Sequence, residues 1–293
     1  MATVQDLKRR IRSVRNTRKI TRAFELVAAA RLRRAQARIE AMRPYADRML
    51  ELMVGTAKAS ASLRGLPLLE RREVETVGVL PLTGDRGLAG AFNAQILRKA
   101  FAVERDLRAE GKAVRFLVAG RKGRSTLTFR RYELTRAWTG FSDRPTYADA
   151  QWIAHALTEL YTEREVDRVV VIYNHFESAL VQTVVEQDVL PIPEQALEAG
   201  DEREAQFGDF IYEPEPEQIL ERLLPAYLET ELFRALLESA ASEQGARMTA
   251  MRNASKNAGE LIDSLTLAMN RARQAEITQE ILEVVAGADA LTQ

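Results

Sequence analysis

S-E-Q-G-A-R-M-T-A-M-R-N-A-S-K-N-A-G-E-L-I-D-S-L-T-L-A-M-N-R-A-R-Q-A-E-I-T-Q-E-I-L-E-V-V-A-G-A-D-A, residues 242–290, contains no proline. Within it Met248, Met251, Ser255, Ala258, Ile262, Leu265, Met269 and Ala272 recur at alternating steps of three and four. That spacing lays one stripe of a long helix against a partner helix. Small residues at Ser255, Ala258 and Ala272 would let the partner backbone come close. Spacing alone also fits a core helix of an ordinary bundle. The length of the run, and a matching run at the other end of the chain, favour a coiled coil.

The matching run is residues 4–58. Val4, Leu7, Ile11 and Val14 open a three-four seam, and Ile20, Phe24, Val27, Leu32, Ala35, Ile39 and Met42 continue a looser one. At 1.5 Å per residue such a helix would measure on the order of 80 Å. Pro44 predicts a kink or a break. Lys8, Arg9, Arg10, Arg12, Arg15, Arg18, Lys19, Arg22, Arg31, Arg33, Arg34 and Arg38 make the helix strongly basic up to Arg38, opposed there by only Asp6 and Glu25. A solvated face, a nucleic-acid arm and a helix lying in a channel of another protein all fit that charge.

Between the runs the character changes. Residues 60–72 read as a linker. Strands are predicted at 75–83, 113–120, 133–138, 167–174 and 180–190, the third at an edge and the last antiparallel to its neighbour. Helices are predicted at 91–110 and 147–164, with a basic connection or short helix at 121–132. Strands alternating with helices imply a small domain with a largely parallel sheet. Residues 194–217 are acidic and proline-punctuated and read as a surface loop, with one more short strand at 209–212. From Glu217 the chain reads as helix to its end, on the order of 105 Å. Two such terminal helices must run antiparallel if they pair. The predicted fold is therefore α/β: a long antiparallel coiled coil of N- and C-terminal helices with an inserted Rossmann-like α/β domain. The divisions are residues 1–58, 73–213 and 214–293, the first and last paired.

Composition narrows the chemistry. The chain has 293 residues, and Lys+Arg and Asp+Glu are each 42, so net charge names no polyanionic partner. With no cysteine, disulfides, thiol catalysis and cysteine metal sites are excluded. His155 and His175 are the only histidines and read as structural. No apolar run reaches the roughly twenty residues needed to span a bilayer. The turn G-D-R-G-L-A-G, with Gly84, Asp85, Arg86, Gly87 and Gly90, is neither G-x-G-x-x-G nor a Walker loop, and a self-satisfied turn explains it. No catalytic constellation, cofactor site or metal site emerges.

Three stretches together resemble the gamma subunit of F-type ATP synthases. They are I-R-S-V-R-N-T-R-K-I-T-R-A-F-E-L-V-A-A-A-R-L-R-R-A-Q (11–36), D-R-G-L-A-G-A-F-N (85–93), and S-E-Q-G-A-R-M-T-A-M (242–251) with R-Q-A-E-I-T-Q-E-I-L-E-V-V-A-G-A (273–288). The resemblance implies a non-catalytic rotor shaft seated in a hexamer of alternating alpha and beta subunits. Its foot would join the epsilon subunit and the membrane ring of c subunits, one copy per complex, with no nucleic-acid partner. It implies contacts to beta at Arg247, Gln274, Thr278 and Glu280, all pointing outward. Arg9, Arg10, Arg33 and Arg34 would face acidic segments of the hexamer. Lys19 and Arg22 flank Phe24, which stands where the family commonly has methionine. Gly84 stands where the family usually has Ser or Thr, which weakens any hydroxyl-based role for the turn. The lack of a transit peptide suggests a bacterial protein, peripheral on the cytoplasmic face of the plasma membrane. A nucleic-acid-binding coiled-coil protein using the basic first helix is the alternative function.

Overall fold

The computed structural model of the chain describes residues 3–60, 65–179, 181–193 and 213–291. Two long helices, α1 (Val4–Ala59) and α5 (Pro216–Leu291), enclose in sequence α2 (Phe92–Ala109), α3 (Arg121–Phe129), α4 (Tyr147–Thr162) and five strands. The strands are β1 (Thr76–Pro81), β2 (Ala113–Ala119), β3 (Leu134–Trp138), β4 (Arg168–Phe176) and β5 (Gln182–Leu190). The chain divides into two compact units, one of residues 1–28 with 248–293 and one of residues 29–247. The acidic segment 194–212, with the short strand expected at 209–212, lies outside the described residues.

In the first unit α1 and α5 are paired and antiparallel. Glu25 meets Arg252, and Arg18 lies against Gly259, so seven residues back along α1 match seven forward along α5. The expected stripe of α5 is the buried one: Met251, Ala258 and Ile262 are buried, and Ser255, Leu265 and Met269 half-buried. The stripe of α1 departs from expectation beyond Val14. Ile20, Phe24 and Val27 are exposed, and Thr21, Glu25 and Ala28 are buried in their place. Leu7, Ile11, Val14, Arg18, Thr21, Glu25 and Ala28 keep an unbroken three-four spacing. The geometry of the pair is thus followed strictly, and the apolar residues one position earlier are left outside.

The second unit is built on a five-stranded sheet of order β3-β2-β1-β4-β5. β1 pairs in parallel with β2 and β4, β2 in parallel with β3, and β5 is antiparallel to β4. Alternation along each strand feeds two cores. Leu80, Leu117, Val169 and Val171 face α4 (Ile153, Leu157, Tyr161), the α5 residues Leu220, Leu224, Leu228 and Leu232, and Met53 of α1. Val77, Val79, Phe116, Val118, Val170 and Ile172 face Ile96, Ala100 and Val103 of α2. A sheet covered on both faces explains the unbroken buried runs Val77–Pro81 of β1 and Val169–Tyr173 of β4.

Two local expectations change. Pro44 does not break α1, which continues to Ala59. Buried Met42, Met49 and Met53 hold the segment on either side of the proline, and packing of a helix face outweighs one lost backbone hydrogen bond. Within the expected linker 60–72, the described residues 66–72 are packed against the rest of the unit. A 3-10 turn at Pro67–Leu69 buries Leu66 and Leu68. Arg72 pairs with Asp167 at 2.6 Å and lies over the Tyr161 ring. Asp167 also accepts from the amides of Glu75 and Thr76, so it fixes the entry to β1.

Candidate functional site

The residues expected to contact partners fall into both units. In the first unit α1 starts on a reciprocal cap between Thr3 and Asp6, which satisfies amides of its first turn. Arg9, Arg10 and Lys19 are exposed on the helix that follows. Phe24 is 45% exposed beside Arg22. Continued at the same register, the start of α1 at Val4 falls opposite about residue 273 of α5. From Arg273 to Ala286 every side chain of α5 is exposed. This stretch still carries Ile277, Ile281, Leu282, Val284 and Val285. Positions 277, 281, 284 and 285 follow helical spacing, so they form one stripe. Gln274 and Thr278 lie within that stripe and Glu280 at its border; the Thr278 hydroxyl donates to the Gln274 carbonyl at 2.9 Å.

Arg247 belongs to the second unit and does not point outward. It is 9% exposed. Its guanidinium donates to the Glu243 carboxylate at 2.5 Å and to the Gly87 carbonyl at 3.3 Å, and lies 3.8 Å from Asp143. Asp143 is the hub of this cluster. It pairs with Arg31 at 2.9 Å and Arg86 at 3.5 Å, and accepts from the Gln244 side chain at 3.1 Å. Glu243 is buried, and burial pushes its carboxyl above the usual range despite the nearby Arg247. Gly84 makes room for it: a Cβ there would sit 2.7 Å from a Glu243 oxygen. Arg33 and Arg34 are exposed on α1.

The turn after β1 is satisfied by groups outside it and not, as expected, by itself. Asp85 accepts from the amides of Arg121 at 2.9 Å, Gly140 at 2.8 Å and Ser142 at 3.0 Å. Burial opposes its ionisation, but these amides hold the carboxyl below the ordinary aspartate range. Its oxygens are therefore committed to joining three loops. Gly90 adopts φ 57°, a conformation glycine takes at no steric cost. His155 is exposed, and His175 faces Glu238 across 2.5 Å. Among the described residues no group of acidic or histidine side chains has the arrangement of a metal site, and no helix is long and apolar enough to cross a membrane.

Three groups escaped the sequence reading. Glu25 could have been found by counting the heptad strictly from Leu7 rather than following apolarity. Glu243 could have been found from its i,i+4 spacing to Arg247, whereas Asp143 carries no local signal, because Gln244 and Arg247, which meet it, lie more than a hundred positions away.

A family model described as ATP synthase matches residues 3–291. The ATP synthase gamma chain of Moorella thermoacetica is 48% identical over 291 residues, covering 99% of this chain and 100% of that protein. That of Rubrobacter xylanophilus is 46% identical, covering 99% of each. A central stalk and c-ring structure of Tetrahymena thermophila mitochondrial ATP synthase contains a chain 30% identical, with a TM-score of 0.58 over 80% of this chain and 99% of that one. A chain of the Euglena gracilis mitochondrial enzyme, at 18% identity and a TM-score of 0.70, shares the fold over 98% of this chain and 94% of its own.

Proposed function

From the premise that the chain belongs to the ATP synthase gamma-chain family, and is the non-catalytic rotor of the central stalk, we propose how its surfaces couple rotation to ATP synthesis or hydrolysis. The bare end of α5 carries the reading. A single helix with five large apolar side chains in water has no core of its own to stabilise it. A surrounding sleeve of alpha and beta subunits would bury that stripe and leave the helix free to turn about its axis.

Gln274, Thr278 and Glu280 would then meet beta as the shaft turns. Arg9, Arg10, Lys19, Arg22, Arg33 and Arg34 would face acidic segments of the hexamer, with Phe24 as an apolar contact among them. Orientation of an asymmetric shaft favours one beta conformation over another, which is a coupling free energy between shaft and nucleotide site. Moving a beta subunit from 1:99 to 99:1 between two states takes about 5.5 kcal/mol of differential contact. Several such contacts acting together fit that magnitude. Residues 1–58 and 214–293 form the shaft, and residues 73–213 form the foot that joins epsilon and the c-ring. One copy serves each complex at the membrane surface. Arg247, clasped by Glu243 and Asp143, reaches beta only by exchanging partners.

Co-expression of the full chain with alpha and beta subunits tests the reading. The expected result is a complex containing one copy of the chain, whose ATP turnover falls when Gln274, Thr278 and Glu280 are all replaced by alanine. A hexamer that hydrolyses ATP at the same rate with and without those side chains would remove the proposed contacts.

A further inference from the structure

Residues 20–28 of α1 carry two competing stripes. Thr21, Glu25 and Ala28 form the one that faces α5; Ile20, Phe24 and Val27 form the other, each one residue earlier. One residue is about 100° of helix rotation. A single roll of α1 would therefore exchange the stripes as sets. Over residues 20–28 hydrophobic burial favours the exchange, because Ile20, Phe24 and Val27 are 54%, 45% and 48% exposed while a carboxylate occupies the seam.

Buried Leu7 and Ile11 hold the start of the same seam, and over residues 20–28 what opposes the roll is the environment of Glu25. It is 5% exposed. One oxygen accepts from Arg252 of α5 at 3.1 Å and the other from Arg22 of its own helix at 2.7 Å. Burial alone would disfavour its charge, yet the two arginines keep its carboxyl below the ordinary glutamate range. Thr21 closes its hydroxyl on the Arg18 carbonyl at 3.1 Å, so the polar stripe leaves no hydroxyl unsatisfied. Ala28, 1% exposed, supplies the close approach. Gly259 lets the Arg18 guanidinium lie within 3.7 Å of where a side chain would begin.

We propose that the Glu25–Arg252 pair is a rotational lock, which holds the polar stripe of α1 against α5 and thereby presents Ile20, Phe24 and Val27 outward as a preformed apolar ridge. Glu25 is a positioning residue: it touches no partner and sets which face a partner meets. The lock belongs to the helix pair itself. Only the identity of what covers the ridge, a beta subunit of the hexamer, rests on the rotor reading.

The absence of cysteine from the chain allows a direct test on the full-length protein. Single cysteines are placed at Val27, outside, and at Ala28, inside, and their alkylation rates are compared. With Glu25 intact, Val27→Cys should react at least about tenfold faster than Ala28→Cys, tenfold corresponding to about 1.4 kcal/mol. Adding Glu25→Arg, which sets like charges together, should reverse the order: protection at Val27→Cys and exposure at Ala28→Cys. The exchange Glu25→Arg with Arg252→Glu should restore it. A rise at both positions would mean local unfolding and would overturn the lock, as would unchanged rates or a failure of the exchanged pair to restore the original order.

Discussion

Glu25 of the helix pair and Glu243 of the α/β unit are both buried, and they are held in opposite ways. Glu25 sits in the helix pair between two arginines whose outer parts remain in water: Arg22 is 61% exposed and Arg252 59%. Glu243 sits in the α/β unit against Arg247, which is itself almost fully enclosed. The first carboxyl is held below its ordinary range and the second above it. The difference is solvation. A half-exposed arginine neutralises a carboxylate while keeping most of its own hydration, whereas a buried pair must lose hydration on both sides. The helix pair therefore tolerates a seam charge at small cost. The α/β unit carries one that depends on a single neighbour.

That contrast is broken most severely by Arg247→Ala. It leaves Glu243 buried without its cation, and about 3–5 kcal/mol of stability should be lost. Both tryptophans, Trp138 and Trp152, lie in the same unit, so denaturant unfolding followed by their fluorescence reports the loss. Gly84→Ala comes next, because its Cβ would sit 2.7 Å from a Glu243 oxygen; overpacking of this kind costs about 1–3 kcal/mol. Arg252→Ala should cost about 1 kcal/mol, since Arg22 still serves Glu25. Equal losses for Arg247→Ala and Arg252→Ala would erase the distinction between the two sites.

Titration sharpens the same comparison through its sign. A carboxyl raised in the folded state binds a proton before its unfolded counterpart does. Stability conferred by Glu243 therefore increases as pH falls through its folded pKa, which lies above the ordinary glutamate range. A carboxyl lowered in the folded state behaves oppositely. The stability from Glu25 is present above the ordinary range and lost as pH falls below it. Glu243→Gln should flatten the stability profile on the high side of that range and Glu25→Gln on the low side. Unfolding midpoints measured across pH for the two variants check this, and identical profiles would contradict it. The smallest stability effect is expected at the exposed end of α5, where Gln274→Ala, Thr278→Ala and Glu280→Ala should each stay within about 0.5 kcal/mol while lowering coupled ATP synthesis in the assembled complex.

How far the fold could be read from sequence follows the range of the interactions. The antiparallel β5 and the edge position of β3 were legible, because alternation and turn residues act over a few positions. The seam of α5 was legible for the same reason. The seam of α1 was misread at Ile20, Phe24 and Val27 because apolarity was followed where geometry had priority. Phe24 looks like a core residue and Glu25 like a surface one, and only the Arg252 side chain, far along the chain, inverts the pair. Arg247 was read as an outward donor because its motif is local, while Gly87 and Asp143, which with Glu243 one turn away hold it inward, converge only after folding. Asp85 was read as part of a self-satisfied turn, but its amide partners at Gly140 and Ser142 come from a loop no local pattern announces.

The account rests on α5 turning inside its housing. Thr278→Cys joined by oxidation to a cysteine on beta in the assembled complex tests this most directly, since the chain brings no thiol of its own. ATP hydrolysis should stop when the cross-link forms and recover fully on reduction. Hydrolysis at an undiminished rate with the cross-link complete would contradict the rotor mechanism proposed for this chain.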